Sequence, residues 1–266
     1  MKKISLLLLL FIAFSACKNE IKKEDAALEV EEVSEEIQEK VYPQIIAAVF
    51  EAHGGTAHWN KMNNLCFEMD GSNGNEIHTT SLGNRLVKIE NNDWAIGYDG
   101  DNVWLQQHKE NAYEGNARLY HNLMFYFYAM PFILGDDGIN YEVLEQRELD
   151  GKLYNATKIS YDAGVGDSPE DEYILFSDPE TNKMVWLAYT VTFKSGEKSD
   201  NWNFIKYDNW QDVNGLLLPE KLTWYEVENG SPKGEKRNKI FKKLTATETV
   251  LEASVFAKPE GAVIVN

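Results

Sequence analysis

The stretch from Leu123 to Leu134, LMFYFYAMPFIL, contains no charged residue in a chain whose formal net charge is −17 and whose mean hydropathy is −0.44. A helix formed here would be apolar on every side, so it has to be buried on every side. Pro131 disfavours helical backbone at the residue before it, so the helix should stop near Ala129 and PFIL should continue as an extended segment. The rest of the chain must therefore supply a surface that surrounds a helix.

Short runs of alternating apolar and polar residues on both sides of this stretch predict that surface. Five runs precede it in residues 66–107 and seven follow in residues 141–246, separated by turn sequences such as DGSNG and DGD. Every connection is short, which favours antiparallel order because parallel pairs need crossovers of about a dozen residues or more. Apolar residues at helical spacing between Pro43 and Gly54 predict one amphipathic helix ahead of the strands.

The predicted strands carry enough apolar side chains to line a large inner surface. In MVWLAYTVTF, residues 184–193, both sides of the strand are apolar, as in the centre of a sheet with a layer on each face. The chain has seven tryptophans, and 12% of its residues are aromatic. We therefore expect a mainly β fold, of the α+β class, with the charge-free helix against the concave face of an antiparallel sheet.

Residues 1–16 are predicted to form a lipoprotein signal peptide. Lys2 and Lys3 precede an apolar run from Ile4 to Phe14, which is shorter than the ~20 residues that a spanning helix needs. The sequence FSAC, ending at Cys17, resembles the lipobox of bacterial lipoproteins, in which the cysteine becomes the lipidated first residue. The resemblance implies fatty acyl groups, palmitate among them, on Cys17. An ordinary secretory signal with a chance cysteine is the alternative.

Residues 17–40 are predicted to form the lipidated cysteine and an acidic, disordered tether, because they are rich in glutamate and lack aromatic residues. Lys18 stands where aspartate would retain a lipoprotein at the inner membrane under the enterobacterial sorting rule. The resemblance therefore implies an outer-membrane lipoprotein, at the periplasmic face or at the cell surface, held to the membrane by its N-terminal lipid anchor.

Residues 41–266 remain for a single domain, which we expect to be a monomer. Cys66 is the only cysteine besides Cys17, so lipidation leaves no partner for an intramolecular disulfide, and Cys66 should be buried packing. The strongly negative net charge makes nucleic acid an unsuitable partner.

Three further motifs lie in residues 41–266, namely GYDGDNVWLQ at 97–106, AMPFIL at 129–134 and YDNWQDVNGLLLPEKLTW at 207–224. In their order and spacing they resemble the LolA/LolB-like superfamily of lipoprotein carriers and receptors. EAHGG at 51–55, with Trp59, is similar to a group of uncharacterised bacterial lipoproteins in that superfamily. The resemblance implies an unclosed, strongly curved antiparallel half-barrel whose apolar concave face is lidded or plugged by helices and takes up acyl chains.

The ligand-binding residues expected from this resemblance belong to the charge-free stretch and to the strands that would face it. The lid or plug residues are Phe125, Phe127, Met130, Phe132 and Leu134, and the cavity-wall residues are Trp94, Tyr98, Trp186 and Trp224.

Two patterns with the composition of metal sites lack the required spacing. His53 and His58 are five residues apart, so they do not share a helical face as zinc ligands four residues apart do, and capping or loop hydrogen bonds are the simpler role. Asp99, Asp101 and Glu110 occupy the first, third and twelfth places of a calcium loop. The fifth and sixth places lack the oxygen ligand and the glycine, so we expect a hairpin turn and no metal.

Acidic residues cluster at Asp136–Asp137 and at 170–172, and a pair of carboxylates is what glycoside hydrolysis needs. Solvation of surface loops is the simpler role. The chain has no Gly-x-Ser-x-Gly elbow, phosphate loop or dinucleotide fingerprint. We therefore expect neither enzymatic activity nor a cofactor.

The sequence thus predicts a lipid-anchored protein of the cell envelope that binds an apolar ligand, a lipid or the acyl chains of a lipoprotein, with a role in lipid or lipoprotein trafficking. One alternative is an envelope module without lipid cargo that binds protein partners, or that stacks glycans on solvent-facing Trp94, Trp104 or Trp202. A more remote alternative is a hydrolase that uses acids near Asp136.

Overall fold

Antiparallel strands surround the charge-free stretch in one continuous sheet. The computed structural model of the protein describes residues 40–71, 74–166 and 168–265. The predicted signal peptide, Cys17 and the tether up to residue 39 lie outside the described residues. Residues 41–266 form one compact unit.

Two short helices precede the first five strands. They are α1, Gln44–Ala52, and α2, Thr56–Trp59, followed by β1, Asn64–Gly71, β2, Gly74–Ser81, β3, Val87–Glu90, β4, Trp94–Tyr98, and β5, Val103–Gln107.

A third helix and a 3₁₀ turn separate these strands from the remaining ones. They are α3, Ala117–Tyr128, and the turn Phe132–Gly135, followed by β6, Ile139–Leu149, β7, Lys152–Tyr161, β8, Tyr173–Ser177, β9, Met184–Tyr189, β10, Asn203–Val213, β11, Leu216–Glu228, and β12, Ser231–Thr247. A second 3₁₀ turn, Ala253–Val255, leads to β13, Val263–Val265.

The sheet is unclosed and antiparallel throughout. Its 13 described strands lie in the order β13-β5-β4-β3-β2-β1-β12-β11-β10-β9-β8-β7-β6. The two predicted series of hairpins are confirmed, and they join where β1 pairs with β12, with Leu65 opposite Ala246. Strands β6 and β13 stand at the two ends of the sheet, so the predicted open half-barrel of mainly β structure is confirmed.

Helix α1 packs on the sheet through one apolar face. Pro43 precedes its first turn, and Ile46, Val49 and Phe50 are at most 2% exposed. The helix ends where the amide of Gly55 donates to the carbonyl of Phe50 at 2.8 Å. The predicted amphipathic helix is therefore confirmed at both ends.

Helix α3 stops at Tyr128, next to the predicted end at Ala129, but the residues after it are not extended. They form a 3₁₀ turn in which the amide of Leu134 donates to the carbonyl of Pro131 at 2.9 Å. The prediction of an extended PFIL was wrong because proline restricts the residue that precedes it, here Met130, and leaves the following residues free to turn. The Met130–Pro131 peptide is cis.

The charge-free stretch is the centre of the main hydrophobic core. This core joins side chains of α1, α3 and the 3₁₀ turn to strands from both halves of the sheet. Met130, Phe132 and Leu134 are at most 1% exposed, whereas Leu123 and Tyr126 of α3 are only partly buried. The predicted burial on every side therefore holds for the residues after α3 but not for the helix itself. Each large apolar side chain buried in this way contributes about 1.5–3 kcal/mol to folding.

A second core covers the other face of strands β7–β10. It contains Trp186, Ala188 and Phe204. The Arg147 guanidinium lies over the Phe204 ring, 5.7 Å from its centroid, and donates to the carbonyl of Gly230 at 2.5 Å. The sheet centre is thus covered on both faces, as the apolar pattern predicted. Strand β9 ends at Tyr189, so the predicted strand at 184–193 was too long.

Cys66 is only partly buried, and its sulfur lies 3.7 Å from the Thr79 hydroxyl. Within the described residues, no helix is both long enough and apolar enough to cross a membrane.

Candidate ligand-binding cavity

A cavity of about 500 Å³ lies beside α3, and we call it the apolar cavity. Its volume lies in the range of about 300–1,000 Å³ that is typical of small-ligand sites. Helix α3, the first 3₁₀ turn, strand β6 and the segments that flank β7 to β9 line it. The apolar members of the lining are Leu119, Leu123, Phe127, Ile133, Ile139, Val165, Val191 and Phe193.

The spacing of residues along α3 explains why an apolar wall is left uncovered. Leu119, Leu123 and Tyr126 lie at i, i+4 and i+7, so they share one helical face, and all three are only partly buried. Met124 and Tyr128 lie on the face that packs into the main core, at 6% and 0% exposure. One face of α3 therefore fills the half-barrel, while the other borders a cavity.

Tyrosine side chains form part of the cavity wall. The rings of Tyr161 and Tyr173 meet edge to face, 5.9 Å between centroids, and the Tyr189 hydroxyl accepts a hydrogen bond from Trp224 Nε1 at 3.2 Å. Burial raises the pKa of all three phenols above their usual value of 10. They are therefore neutral near pH 7, and they add amphipathic surface without adding charge.

Three carboxylates also line the apolar cavity, namely those of Asp136, Asp137 and Asp171. The Arg85 guanidinium donates to Asp136 Oδ2 at 2.5 Å. Asp171 Oδ1 accepts from the amide and the hydroxyl of Thr192, at 2.6 and 2.7 Å, and burial raises the pKa of Asp171 in spite of these bonds. The acids of the hydrolase alternative thus share one cleft, where two of them are bonded to donors of the protein itself.

A second cavity, of about 330 Å³, adjoins the first, and we call it the polar cavity. It is lined by side chains of β3, α3 and the β4–β5 turn, with Arg85, Tyr98, Asp101, Asn102, Arg118, His121 and Phe125 among them. Arg85, Asn122, Tyr126 and Gly166 line both cavities. The two cavities therefore meet at Arg85 and Tyr126.

The expected lid and plug residues divide between the cavities and the core. Phe127 lines the apolar cavity, and Phe125 lines the polar cavity. Met130, Phe132 and Leu134 line neither of these two cavities and are buried in the main core, where Phe132 stacks on Trp59 at 4.8 Å between centroids. These three side chains thus belong to the core that fills the half-barrel, whereas Ile133 between them lines the apolar cavity.

The expected cavity-wall residues are also dispersed. Tyr98 lines the polar cavity, while Trp94 packs near the first turn of α3, 4.8 Å between its ring centroid and that of Tyr113. Trp224 lies behind Phe127, with 6.0 Å between ring centroids, and lines neither cavity. Trp186 belongs to the second core on the opposite face of the sheet. Its assignment to the cavity was wrong because successive residues of a strand point to opposite faces.

The tryptophans offered for glycan stacking are not a solvent-facing row. Trp94 and Trp104 are 2% and 1% exposed, and the Trp104 indole donates to the carbonyl of Phe256 at 3.0 Å. Trp202 packs, partly buried, against the second core. The exposure on which the glycan alternative depended is therefore contradicted.

Residues that the sequence reasoning missed include Leu119, Leu123, Arg85 and Arg237. The positions of Leu119 and Leu123, four residues apart on α3, could have marked them as members of one apolar helical face. Arg85 and Arg237 come from distant parts of the chain, and no local pattern marks them.

The histidines and the acids of the β4–β5 turn have the structural roles that were expected. His58 Nε2 lies 2.6 Å from the carbonyl of Asn214, and His53 Nδ1 lies 2.7 Å from the carbonyl of Val49. Asp99 Oδ1 accepts hydrogen bonds from the backbone amides of Asp101 and Asn102, at 3.0 and 2.8 Å. In the described part of the chain, no group of three His, Cys, Asp or Glu side chains is placed to hold a metal ion.

Comparisons with known proteins find one family profile and several solved structures that are similar to this chain. Residues 95–232 match the profile of a family described as a family of unknown function, DUF6503. No curated protein matches the chain. Two solved structures are similar over about four fifths of it, a LolA superfamily protein of Nitrosomonas europaea and a DUF1329 family protein of Desulfovibrio piger. The first has a TM-score of 0.49 and 11% identity and covers 82% of this chain and 99% of its own. The second has a TM-score of 0.49 and 9% identity and covers 81% and 98%.

A third similar structure is the lipoprotein LppX of Mycobacterium tuberculosis, with a TM-score of 0.25 and 10% identity over 56% of this chain and 88% of its own. One of these similar structures is named as a LolA superfamily protein, the superfamily that the sequence motifs resemble.

Proposed function

The chain belongs to the DUF6503 family, whose function is unknown, and we propose from its cavity that it binds an apolar ligand, a lipid or an acyl chain of a lipoprotein, beside α3. The apolar cavity carries this proposal. It has a volume of about 500 Å³ and a wall made mainly of aliphatic and aromatic side chains, and it lies along the partly buried face of α3.

An acyl chain suits this wall for energetic reasons. Each methylene group that leaves water for an apolar site contributes roughly 0.8 kcal/mol. Leu119 and Leu123, which are not among the buried core residues, offer such a site beside Phe127 of the core, while Met124 and Tyr128 on the other face of α3 stay packed in the main core. Binding therefore needs no exchange of ligand for core side chains.

The site of action that we propose is the cell envelope. Lipidation of Cys17 would anchor the chain to a membrane, at the outer membrane under the sorting rule, and residues 18–40 would connect the anchor to the domain at 41–266. In this arrangement the cavity meets lipids or lipoproteins at a membrane surface, which suits a role in their trafficking.

The test is mass spectrometry of lipids extracted from residues 41–266 after purification from the periplasm without detergent. We expect a discrete lipid at close to one per protein. In a Leu123→Trp variant the indole would fill the apolar cavity from the side of α3. This variant should no longer carry the lipid. Leu153→Trp is the matched control, because Leu153 lies on β7, is 52% exposed and is outside both cavities.

Two results would contradict the proposal. One is protein that carries no lipid and also fails to bind added palmitate, which indicates a scaffold that acts through its outer surface. The other is a lipid that remains bound to the Leu123→Trp variant at the same stoichiometry, which places the ligand elsewhere.

A further inference from the structure

The polar cavity adds a second, chemically different part to the proposed binding site. The apolar cavity is bounded by aliphatic and aromatic side chains, whereas the adjoining space is bounded by the guanidinium groups of Arg85 and Arg118 and by His121. Arg85 and Tyr126 line both spaces. A molecule whose tail lies in the apolar cavity therefore has its other end close to arginine side chains.

Arg85 has hydrogen-bonding capacity left for such a ligand. Its backbone is in the left-handed region, with φ at 57°, in the turn before β3, and its Nη2 donates to Asp136 at 2.5 Å. Its Cζ lies 5.3 Å from the centre of the Phe125 ring. Nη1 is buried and has no hydrogen-bond partner among the described residues. A buried donor in this state destabilises the protein without ligand, and an acceptor on a ligand would offset that cost.

The donors also define the chemistry of the ligand's head. A guanidinium group only donates hydrogen bonds, and its planar fork matches the paired oxygens of a carboxylate or a phosphate. The net charge of −17 opposes anion binding at long range, but salt screens such charges beyond about 10 Å. Asp101 also lines the polar cavity, and Asp136 pairs with Arg85, so an anionic head would be recognised by hydrogen bonds from the guanidinium groups and not by an excess of positive charge.

Resting on the proposed function, we propose that the ligand is a single-chain amphiphile with an anionic head, whose tail lies in the apolar cavity and whose head is bound by Arg85 and Arg118 in the polar cavity. A fatty acid supplies the carboxylate form of this head, and a lysophosphatidic acid supplies the phosphate form.

The experiment compares ligands that share a 16-carbon alkyl chain and differ in their head group. The full chain carrying Cys17→Ser is purified without detergent and delipidated, and dansyl-undecanoic acid is displaced by palmitate, hexadecanol, hexadecylamine or palmitoyl-lysophosphatidic acid. We expect at least one of the two anions to bind about 10- to 100-fold more tightly than hexadecanol, the range for hydrogen bonds to a charged group. Hexadecylamine should bind more weakly than hexadecanol. The tighter of the two anions identifies the head as carboxylate or phosphate.

Two variants assign that preference to the arginines. Arg118→Gln and Arg85→Gln should each reduce the anion-to-alcohol ratio about tenfold while hexadecanol affinity is kept, which also shows that the variant is folded. Lys233→Gln is the control, because Lys233 is 71% exposed in its side chain and lies outside both cavities, and it should keep the full ratio.

The outcomes separate the inference from the proposed function. Equal affinity for anions and alcohol, or a preference that survives both arginine variants, overturns the anionic head while apolar binding stands. If no ligand displaces the probe, or if Leu123→Trp leaves all affinities unchanged, the proposed function itself is wrong and the inference fails with it.

Discussion

His53 shows how a single buried side chain makes the stability of this fold depend on pH. It is fully buried, with its ring centroid 4.4 Å from that of Trp210 and Nδ1 against the carbonyl of Val49. Burial, and to a smaller extent the charge of Lys183, lowers the pKa of His53 from 6.5 to about 4 in spite of the hydrogen bond to the carbonyl of Val49. The imidazole is therefore neutral at neutral pH, and Nε2 is buried without a hydrogen-bond partner among the described residues.

The pKa shift of His53 predicts loss of stability in mild acid. The unfolded chain takes up a proton below pH 6.5, whereas the folded chain takes it up only near pH 4, so unfolding becomes easier as the pH falls between these values. The loss reaches up to about 3 kcal/mol. Urea unfolding from pH 7.5 to 4.5 measures it, and His53→Phe should flatten the dependence by removing the titrating group.

His108→Phe is the matched control for this prediction, because His108 is exposed. It should keep the pH dependence of the unsubstituted chain. Burial also lowers the pKa of His78, so a smaller dependence of the same sign should remain in His53→Phe. An equal slope in His53→Phe and His108→Phe would show that another group is responsible.

At the scale of elements, the end of α1 docks against the β10–β11 turn so closely that only glycine fits. Gly54 has φ at 110°, and a Cβ atom there would lie 2.3 Å from the carbonyl oxygen of Gly215. Gly74, at the start of β2, has a similar φ of 105°, and a Cβ there would meet no described atom within 4 Å. The two glycines thus have similar backbone conformations, but only at Gly54 would an added Cβ atom collide with neighbouring backbone.

This pair predicts two separable costs of adding one methyl group. Gly74→Ala should lose about 1–2 kcal/mol of unfolding free energy, the cost of a left-handed backbone for a residue with a Cβ. Gly54→Ala should lose about 1–3 kcal/mol more, because the turn has to move away. Chemical denaturation of both variants checks this, and equal losses would mean that the contact between α1 and the turn is loose.

The elements were largely predictable from the sequence because the relevant signals are local. Period-two patterns and short turns predicted the hairpins, and Pro43 and Gly54 marked the ends of α1. The segment after α3 was mispredicted, since the conformation of residues 132–135 depends on hydrogen bonds back to residues 129 and 131 and on the surrounding core. The end of β9 at Tyr189 was missed because apolar alternation continues into residues that line the cavity.

At the scale of the whole molecule, the cavity was less predictable than the fold. Its wall combines α3 with Arg85, Arg237 and the segments around Val165 and Val191, which are brought together only by the curvature of the sheet. Aromatic content did not distinguish a cavity wall from core. Trp186 is as apolar as Phe127, yet it faces the second core. Which face of a strand turns inward depends on register, and the sequence alone left that register open.

Membrane attachment is the last prediction, and the two cysteines of the chain test it. Cys17 follows the lipobox-like sequence FSAC and is predicted to carry fatty acyl groups, whereas Cys66 lies in β1. Each buried methylene contributes about 0.8 kcal/mol, so the acyl chains of a lipidated cysteine would hold the attached domain on a bilayer. Cys17→Ser, exported behind an ordinary cleavable secretory signal in place of residues 1–16, should therefore move the protein from the membrane fraction to the soluble fraction, with a lower intact mass. Cys66→Ser should leave it in the membrane fraction, because its thiol is not part of the anchor. If both variants fractionate alike, the lipobox interpretation fails, and the cavity would then have to reach its ligand without a lipid anchor at Cys17.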